Sequence, residues 1–585
     1  MLRYLSSVGQ QLTLTTLLIL FICVAAQARE NDNPPTPREE SRTGLISGRV
    51  VSDSGQPLAG ATVTVRSGGA FSSGRNTVTN LEGNFQISGL DNALYFITAY
   101  YPAYVGSLPS VDAPPPSYRV GDTVRIELVR GGVITGTVTN SSGEPVIGVR
   151  VRSFMIRDTS GKSTKGMITL GGERTTDDRG IYRIFGLAPG SYIVQAGGGG
   201  IQTSANPTDF DAPTFAPSST RDTATEIQVR GGEESTVDIR YRGEPGRTVS
   251  GTVKIQGNQG ASVSLIRVGD GMRTSSSAYQ AANARGFMFS GIGDGDYEVT
   301  AQEATSLPST SSPEVSISEP VRFSVRGADV SGLELVPKPL AVITGKLALE
   351  PSKVPECQNK RQPLLSETSI TPIQNRKEAA SDQLAFMIAF LGATIPDKDG
   401  AFAIKNMRPG QYSFTPRFFA RYWFLKSMTL PPAAPASTTA KTTNSAVRDA
   451  AKNWTSVKSG DRVTGLTITL AEGAGSIRGV IDKKEVNDLR VYLVPSERDK
   501  VEEPLRYFMS TVNNDGTFAL NNLAPGRYWI LAQRSQADLP ASIEKLRLPD
   551  ALDARTKIRR SAETVKLEVE LKPCQNLTDY KLNPN

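Results

Sequence analysis

The sequence of 585 residues contains no histidine and only three cysteines. Without histidine the chain cannot build a Ser-His-Asp or Cys-His catalytic site, a His-ligated zinc centre or a haem with a proximal histidine. No nucleophile motif such as G-x-S-x-G is evident either. We therefore predict no catalytic residues, no metal ligands and no cofactor. A hydrolase that works without histidine is the less favoured alternative.

An excess of one charge sign is also lacking. The sequence has 65 basic and 58 acidic residues, a net charge of +7, and no run of five or six like charges. Nucleic-acid binding needs a concentrated basic surface, so we predict no nucleic-acid partner. A hydrophobic content of 38% with 21% charged residues is typical of folded domains rather than of a disordered chain.

Long hydrophobic runs are missing except near the beginning. Arg3 precedes an apolar stretch over residues 12–26, which ends at an A-x-A site formed by Ala26, Gln27 and Ala28. This order is typical of a cleaved signal peptide over residues 1–28 and predicts export to the periplasm, the cell surface or the medium. An uncleaved anchor remains the alternative. No later segment approaches 18 apolar residues, so we predict no transmembrane span in the mature chain.

Short strand-like segments recur along the rest of the chain. Each begins with an apolar residue, then a polar residue and glycine, with further apolar residues after it; the glycines are Gly48, Gly136, Gly251, Gly345 and Gly479. In the first two copies a turn with Gly and Pro follows, and then a segment that alternates apolar and polar residues. Such alternation predicts a β-strand with one buried face. The copies are too far apart for solenoid repeats and indicate whole β-domains.

A second motif recurs in the same order. It begins at a turn glycine, continues through a strand and a Pro-Gly turn, and ends at a tyrosine, as in residues 180–192, 400–412 and 516–528. The first copy, 83–95, lacks the Pro-Gly turn, and the third, 286–297, is one residue shorter. We expect each tyrosine to bury its ring while its hydroxyl binds a neighbouring backbone group. These structural tyrosines are Tyr95, Tyr192, Tyr297, Tyr412 and Tyr528.

The repeated plan resembles the carboxypeptidase regulatory-like domain, a transthyretin-like, carbohydrate-binding-like fold found in exported bacterial proteins. The resemblance implies an all-β chain of five Greek-key β-sandwich modules in tandem, and no peptidase activity, because the catalytic domain that such modules accompany is absent. We expect an edge hairpin to close each module, as in residues 227–239. The expected organisation is a signal peptide (1–28), a linker (29–43), modules at 44–130, 131–243, 244–337, 338–472 and 473–574, and a tail (575–585).

Two modules carry insertions and the remaining cysteines. We expect a helix at 377–391 in the fourth module and a short helix within 538–560 in the fifth. Cys23 lies in the signal peptide, which leaves Cys357 and Cys574. In an oxidising compartment they could form a disulfide that joins the fourth module to the end of the fifth, or both could stay free. The sequence leaves both possibilities open.

The most aromatic stretch, 416–424, suggests a ligand site in the fourth module. Exposed Tyr422 and Trp423 rings could stack on a sugar, with Arg417 and Arg421 donating hydrogen bonds to its oxygen atoms. The competing and favoured interpretation is that these rings fill the sandwich core. Tyr100, Tyr101 and Tyr104 form a weaker patch in the first module. Asp397, Lys398, Asp399 and Gly400 resemble the start of a calcium loop but lack its later ligands, which favours a turn.

From these patterns we predict a non-enzymatic, exported multi-domain protein for binding, adhesion or scaffolding. Its expected partner is a cell-envelope glycan or another envelope protein, with carbohydrate suggested by the family resemblance alone. Repeated weak contacts would then add up through avidity. The alternative is a purely structural envelope spacer without a small ligand.

Overall fold

The computed structural model describes residues 44–67, 74–106, 116–198, 207–255, 260–269, 272–281, 284–303, 314–375, 394–432, 447–481, 488–536 and 538–583. The expected signal peptide, the linker at 29–43 and the expected helix at 377–391 lie outside the described residues. The rest confirms the predicted fold class, an all-β tandem of five β-sandwich modules.

The first module shows the common plan of two facing sheets. One sheet has the strand order β4-β1-β7-β6 and the other β3-β2-β5. The first strand pairs antiparallel with the fourth and parallel with the last, so the two ends of the module meet in the middle of one sheet. The strands are β1 (Gly44–Ser52), β2 (Thr62–Ser67), β3 (Arg75–Val78), β4 (Asn84–Leu90), β5 (Tyr95–Tyr100), β6 (Tyr104–Gly106) and β7 (Thr123–Arg130).

The second module keeps this plan. Its strands are β8 (Gly132–Thr139), β9 (Arg150–Arg157), β10 (Ser163–Thr175), β11 (Ile181–Leu187), β12 (Gly190–Ala196), β13 (Thr214–Phe215), β14 (Ile227–Val229), β15 (Glu234–Thr236) and β16 (Ile239–Arg240). The first sheet places β8 between β11 and β15, and the second contains β10, β9, β12, β13 and β14. Both β15 and β16 run parallel to β8.

In the third module β19 pairs with both β18 and β20 and so joins the two sheets. The strands are β17 (Arg247–Val253), β18 (Ala261–Arg267), β19 (Arg273–Ala281), β20 (Ala284–Ile292), β21 (Gly295–Glu303), β22 (Ser316–Ser318), β23 (Val321–Val325), β24 (Val330–Leu335) and β25 (Pro337–Pro339). The last sheet strand, β24, is parallel to β17.

The fourth module has an added edge strand, β30, which pairs with β33 as β6 pairs with β7 in the first module. The parallel pair here is β26 with β33. The strands are β26 (Ala341–Glu350), β27 (Ser369–Gln374), β28 (Ala401–Met407), β29 (Gly410–Arg417), β30 (Trp423–Leu430), β31 (Arg448–Asp449), β32 (Thr455–Val457) and β33 (Arg462–Glu472).

The fifth module contains the helices α1 (Ile543–Leu546) and α2 (Leu552–Val565). The helical insertion is confirmed, but it has two helices instead of one short helix, and α2 runs past residue 560. Ser542 caps α1 by accepting the N–H of Lys545. No helix among the described residues is long and apolar enough to cross a membrane. The strands are β34 (Gly475–Ile481), β35 (Leu489–Pro495), β36 (Phe508–Thr511), β37 (Thr517–Leu523), β38 (Gly526–Arg534), β39 (Glu568–Leu571) and β40 (Asn576–Leu582).

Two expectations about how modules end are wrong. Residues 227–239 do not form an edge hairpin, because β14 pairs with β12 in the second sheet while β15 pairs with β8 in the first. The turn between them crosses from one sheet to the other. Residues 575–585 are not a tail either: β40 runs parallel to β34 and completes the first sheet of the fifth module, whereas β39 belongs to its second sheet.

The glycine that recurs in the first strand of each module is required by the packing around it. In four modules a Cβ at this position would collide with a phenylalanine ring from the strand that pairs antiparallel with the first strand, and with a carbonyl oxygen of the parallel last strand. In the second module Tyr182 takes the place of the phenylalanine, and its hydroxyl donates to the Val237 carbonyl at 2.6 Å. Only glycine leaves room for the ring to lie across the first strand. The four pairs are Gly48 with Phe85, Gly251 with Phe287, Gly345 with Phe402 and Gly479 with Phe518.

Candidate functional site

Trp423 is fully buried, with 0% of its surface exposed. It opens the added strand β30 and packs into the core of the fourth module together with Ile343 and Met428. A ring without solvent access cannot stack on a sugar. The expectation that Trp423 binds a ligand is therefore wrong, and the competing interpretation, a core residue, describes the observed position.

The other candidates from this segment do not converge on one site. Tyr422 is half-buried: the Lys360 ammonium lies 4.9 Å from its ring centre and its hydroxyl accepts a hydrogen bond from Asn576 at 3.1 Å. Arg417 and Arg421 are exposed. Arg417 ends β29 and lines a cleft toward the fifth module, whose lining includes none of the other three candidates.

Aromatic residues precede the added edge strand in both modules that have one. In the first module Tyr101 and Tyr104 lie just before and at the start of β6, with their ring centres 5.4 Å apart and at 64° to each other. Both pack against the core of that module, while Tyr100 is 66% exposed. The two aromatic segments thus occupy the same place in the fold and cover the core where the extra strand begins.

The five structural tyrosines share one geometry. Each ring is buried, with at most 9% of the residue exposed. Each hydroxyl donates to the carbonyl oxygen of the residue four positions earlier, and burial raises the pKa of several of these hydroxyls, that of Tyr412 to about 12. The bonds are Tyr95 to Asp91 (2.9 Å), Tyr192 to Ala188 (2.8 Å), Tyr297 to Gly293 (2.8 Å), Tyr412 to Arg408 (3.0 Å) and Tyr528 to Ala524 (2.7 Å).

A β-bulge also recurs in every module, near the end of the strand that pairs antiparallel with the first strand. The register between these two strands shifts there, and the bulge residue has a positive φ. Glycine and asparagine tolerate this left-handed conformation best. The residues are Gly89 (φ 73°), Gly186 (73°), Gly291 (67°), Asn406 (60°) and Asn522 (55°).

The two bulge asparagines connect consecutive modules. The Asn406 Oδ1 atom accepts the backbone N–H of Val315 from the third module at 2.8 Å. The Asn522 amide donates to the carbonyl oxygens of Ala420 and Trp423 in the fourth module, both at 2.7 Å. Neither residue is among the candidates predicted from the sequence. The available signal was the exchange of glycine for asparagine at one position of an otherwise repeated motif.

Cys357 and Cys574 form a disulfide with a Cα–Cα distance of 5.4 Å. Cys357 lies in a short 3₁₀ turn of the fourth module, and Cys574 follows β39 in the fifth. Both residues are buried, and the Cys574 N–H donates to the carbonyl of the linker residue Gly473 at 2.9 Å. The bond joins the fourth and fifth modules covalently.

A cleft of about 230 Å³ lies between these two modules. Its charged lining residues are Arg417 from the fourth module and Glu544 and Arg547 from the fifth. The Arg547 guanidinium lies 4.7 Å from the centre of the Phe508 ring, and its Nε donates to the Tyr507 carbonyl at 3.1 Å. Burial lowers the pKa of Arg547 to about 10, so this side chain is still a cation at neutral pH.

The segment that resembles a calcium loop forms a turn. The Asp397 carboxylate accepts the backbone N–H groups of Asp399 and Ala401, both at 2.9 Å. Asp177 makes the same two bonds in the second module, to Arg179 and Ile181. Within the described ranges no three His, Cys, Asp or Glu side chains are grouped so that they could hold a metal ion.

Comparison with solved structures finds bacterial pilins and the Bacillus anthracis TIE protein at low similarity. GBS52, the minor pilin of Streptococcus agalactiae, is 14% identical with a TM-score of 0.20, over 37% of this chain and 100% of that one. The shaft pilin SpaA of Lactobacillus rhamnosus GG is 13% identical with a TM-score of 0.17, over 34% and 98%. The Bacillus anthracis TIE protein is 14% identical with a TM-score of 0.14; the matched region spans 51% of each chain, about half of the TIE protein.

No curated protein matches the sequence. A match to a protein family covers the first module: residues 45–124 fit the carboxypeptidase regulatory-like domain. The four later modules repeat the strand plan of this segment, with the first and last strands parallel. Residues 45–124 thus match the carboxypeptidase regulatory-like domain, and the resemblance inferred from the sequence is confirmed there.

Proposed function

We propose that this chain is a non-enzymatic, exported scaffold or adhesion protein whose modules are held in a set arrangement. The observation that carries the proposal is the joint made by the bulge residue. Asn406 and Asn522 occupy the same position in consecutive modules, and each binds the module before it. Holding a joint in one orientation costs conformational entropy. The hydrogen bonds between modules offset this cost, and a freely jointed array would not form them.

Polar contacts at every joint support this proposal. The Gly131 N–H donates to Ala103 between the first and second modules at 2.9 Å. Arg267 and Asp222 form an ion pair of 3.0 Å between the second and third, and Arg462 and Glu314 one of 2.8 Å between the third and fourth. The disulfide joins the fourth to the fifth. Each joint thus has at least one bond between the two modules that it connects.

A contact between distant modules favours a compact scaffold over an extended spacer. Arg119 of the first module lies 4.3 Å from the centre of the Phe419 ring in the fourth, and 3.8 Å from the Glu367 carboxylate. A straight array would keep these modules apart. Of the two partner classes, the buried indole of Trp423 disfavours a stacked glycan, and another envelope protein is the better supported partner.

The experiment measures distances between spin labels on the full mature chain. Labels on Ala328→Cys and Lys398→Cys report on the joint between the third and fourth modules. Labels on Lys398→Cys and Asn514→Cys report on the fourth joint, between the fourth and fifth modules. All three positions are exposed, and the native cysteines are bonded to each other. We expect a single narrow distance distribution for each pair. A pair Leu81→Cys with Lys398→Cys should also give one narrow peak. Broad distributions for all three pairs would contradict the scaffold.

A further inference from the structure

The cleft between the fourth and fifth modules has an apolar floor that both modules supply. A space of about 230 Å³ is the volume of about eight liquid water molecules, which is less than most drug-sized ligands need. This space would hold one apolar side chain together with an adjoining polar group of the same ligand. The floor contains Phe414, Phe418 and Leu425 from the fourth module and Leu505, Phe508 and Ile543 from the fifth.

Two cations line this floor without an ion pair within 4.0 Å among the described residues, although the Glu544 carboxylate acts on Arg547 electrostatically from farther away. The Nη groups of Arg547 make no hydrogen bond or ion pair within the described part of the chain, and neither does the guanidinium of Arg417. An arginine held against an aromatic face is already partly desolvated, which strengthens its attraction for an anion. The planar guanidinium fits a carboxylate with two parallel hydrogen bonds. The cleft therefore favours a carboxylate next to an apolar group.

Glu544 adds a hydrogen-bond acceptor to the same cleft. It stands three residues before Arg547, yet among the described residues the two form no ion pair within 4.0 Å. A fatty acid offers no donor to such an acceptor. A peptide terminus does, because its last backbone N–H lies next to the terminal carboxylate.

The walls of the cleft are held in place from both sides. The disulfide joins the two modules, and the Asn522 amide, which also lines the cleft, binds two carbonyls of the fourth module. A preformed site loses little entropy when it binds. The two walls of the cleft therefore stay at a set separation.

We propose that this cleft binds the C-terminus of a peptide chain. Its apolar last side chain lies on the floor, its free carboxylate is held by Arg417 and Arg547, and its last N–H donates to Glu544. This inference goes beyond scaffolding, because it gives one joint of the array a ligand of its own.

The test titrates the full mature chain with N-acetyl-Ala-Phe and with its C-terminal amide by isothermal titration calorimetry. We expect weak binding of the free acid, with a Kd of about 0.1–1 mM, and at least tenfold weaker binding of the amide. Phenylpropionate, which has the carboxylate and the ring but no peptide N–H, should bind several-fold more weakly than the free acid. Equal binding of acid and amide, tighter binding of phenylpropionate, or no binding of the acid at about 10 mM overturns the proposal.

Variants locate the site. Arg417→Gln and Arg547→Gln should each weaken binding of the free acid at least tenfold. Arg478→Gln, which changes an exposed arginine on β34 outside the cleft, should leave it unchanged. The Arg547 variant loses contacts inside the fifth module, which can perturb its fold. Arg417 is exposed, so the Arg417 variant should fold in either case. Parent-like binding by the Arg417 variant overturns the assignment to this cleft.

Discussion

The joint between the third and fourth modules and the joint between the fourth and fifth use the same bulge position in different ways. At the first, Asn406 accepts one N–H, and the accompanying Arg462–Glu314 pair has side chains 67% and 47% exposed. At the second, Asn522 makes two bonds beside a disulfide. Apolar residues also cross this joint: Phe424 packs on the fifth core and Leu505 on the fourth. We call the joint between the third and fourth modules the polar joint and the joint between the fourth and fifth modules the locked joint. The same position in the fold serves both, and the groups buried around it decide how firmly each joint is held.

The largest effect should come from Trp423→Ala, which attacks the segment that supports the locked joint. Removing the buried indole should lower the free energy of unfolding by about 3–5 kcal/mol, because it leaves a cavity and removes the packing contacts of the ring. The Ala420 and Trp423 carbonyls that bind Asn522 should shift as well. Urea unfolding of the full chain measures the cost. Tyr100→Ala, which removes an exposed ring of the first module, is the control and should change stability by less than about 0.5 kcal/mol. A cost below that value for Trp423→Ala would contradict its core role.

Removing the disulfide should make the locked joint resemble the polar one. The double variant Cys357→Ala, Cys574→Ala should lose about 2–5 kcal/mol, since the bond closes a long loop in the unfolded chain. The label distance between Lys398→Cys and Asn514→Cys should broaden, while the distance between Ala328→Cys and Lys398→Cys stays as it was. If neither distance changes, the hydrogen bonds and apolar contacts alone hold the fourth joint.

Exchanging the two asparagines for glycine compares the joints directly. Glycine keeps the positive φ and removes only the amide. Each hydrogen bond is worth about 0.5–1.5 kcal/mol net. Asn522 makes two bonds to the fourth module and Asn406 accepts the Val315 N–H of the third, so Asn522→Gly should cost more than Asn406→Gly. Thermal unfolding measures both. Gly186→Asn is the matched control, because open space surrounds the position where its Cβ would lie; it should be close to neutral. Equal costs at 406 and 522 would remove the distinction.

The smallest effect should come from the exposed ion pair of the polar joint. Arg462→Gln should cost at most about 1 kcal/mol at low salt. Salt screens exposed charges, so the difference between parent and variant should vanish near 1 M NaCl. The stability of the locked joint should not respond to the same change in salt. A difference that persists at high salt would show that Arg462 contributes through packing.

The module plan could be predicted because it depends on local constraints that every copy repeats. The glycine at 48 and its equivalents must admit an aromatic ring, and the tyrosine at 95 and its equivalents bond to a carbonyl only four residues away. Such short-range requirements leave the same residue types at the same offsets. The all-β tandem architecture followed from them.

Features that depend on distant partners could not be predicted in the same way. The turn around Gly231 and Gly232 suits a hairpin or a crossover equally well, and only the pairing with β8 decides between them. The sequence predicts a tail where β40 forms, because the sixth strand, β39, already satisfies the apolar pattern. Likewise, the sequence of residues 416–424 does not show which of its aromatic rings is buried when the added strand β30 forms. The partners of Asn406 and Asn522 lie in other modules.

The parallel pairing of first and last strands has a mechanical consequence. In each module the chain enters along one strand and leaves along its parallel neighbour, so the two chain ends point away from each other. Tension along the chain would pull the two strands past each other in shear and load their evenly spaced hydrogen bonds together. An antiparallel hairpin pulled from its ends opens one bond at a time. A module of this topology resists stretching best along the direction in which the array is threaded.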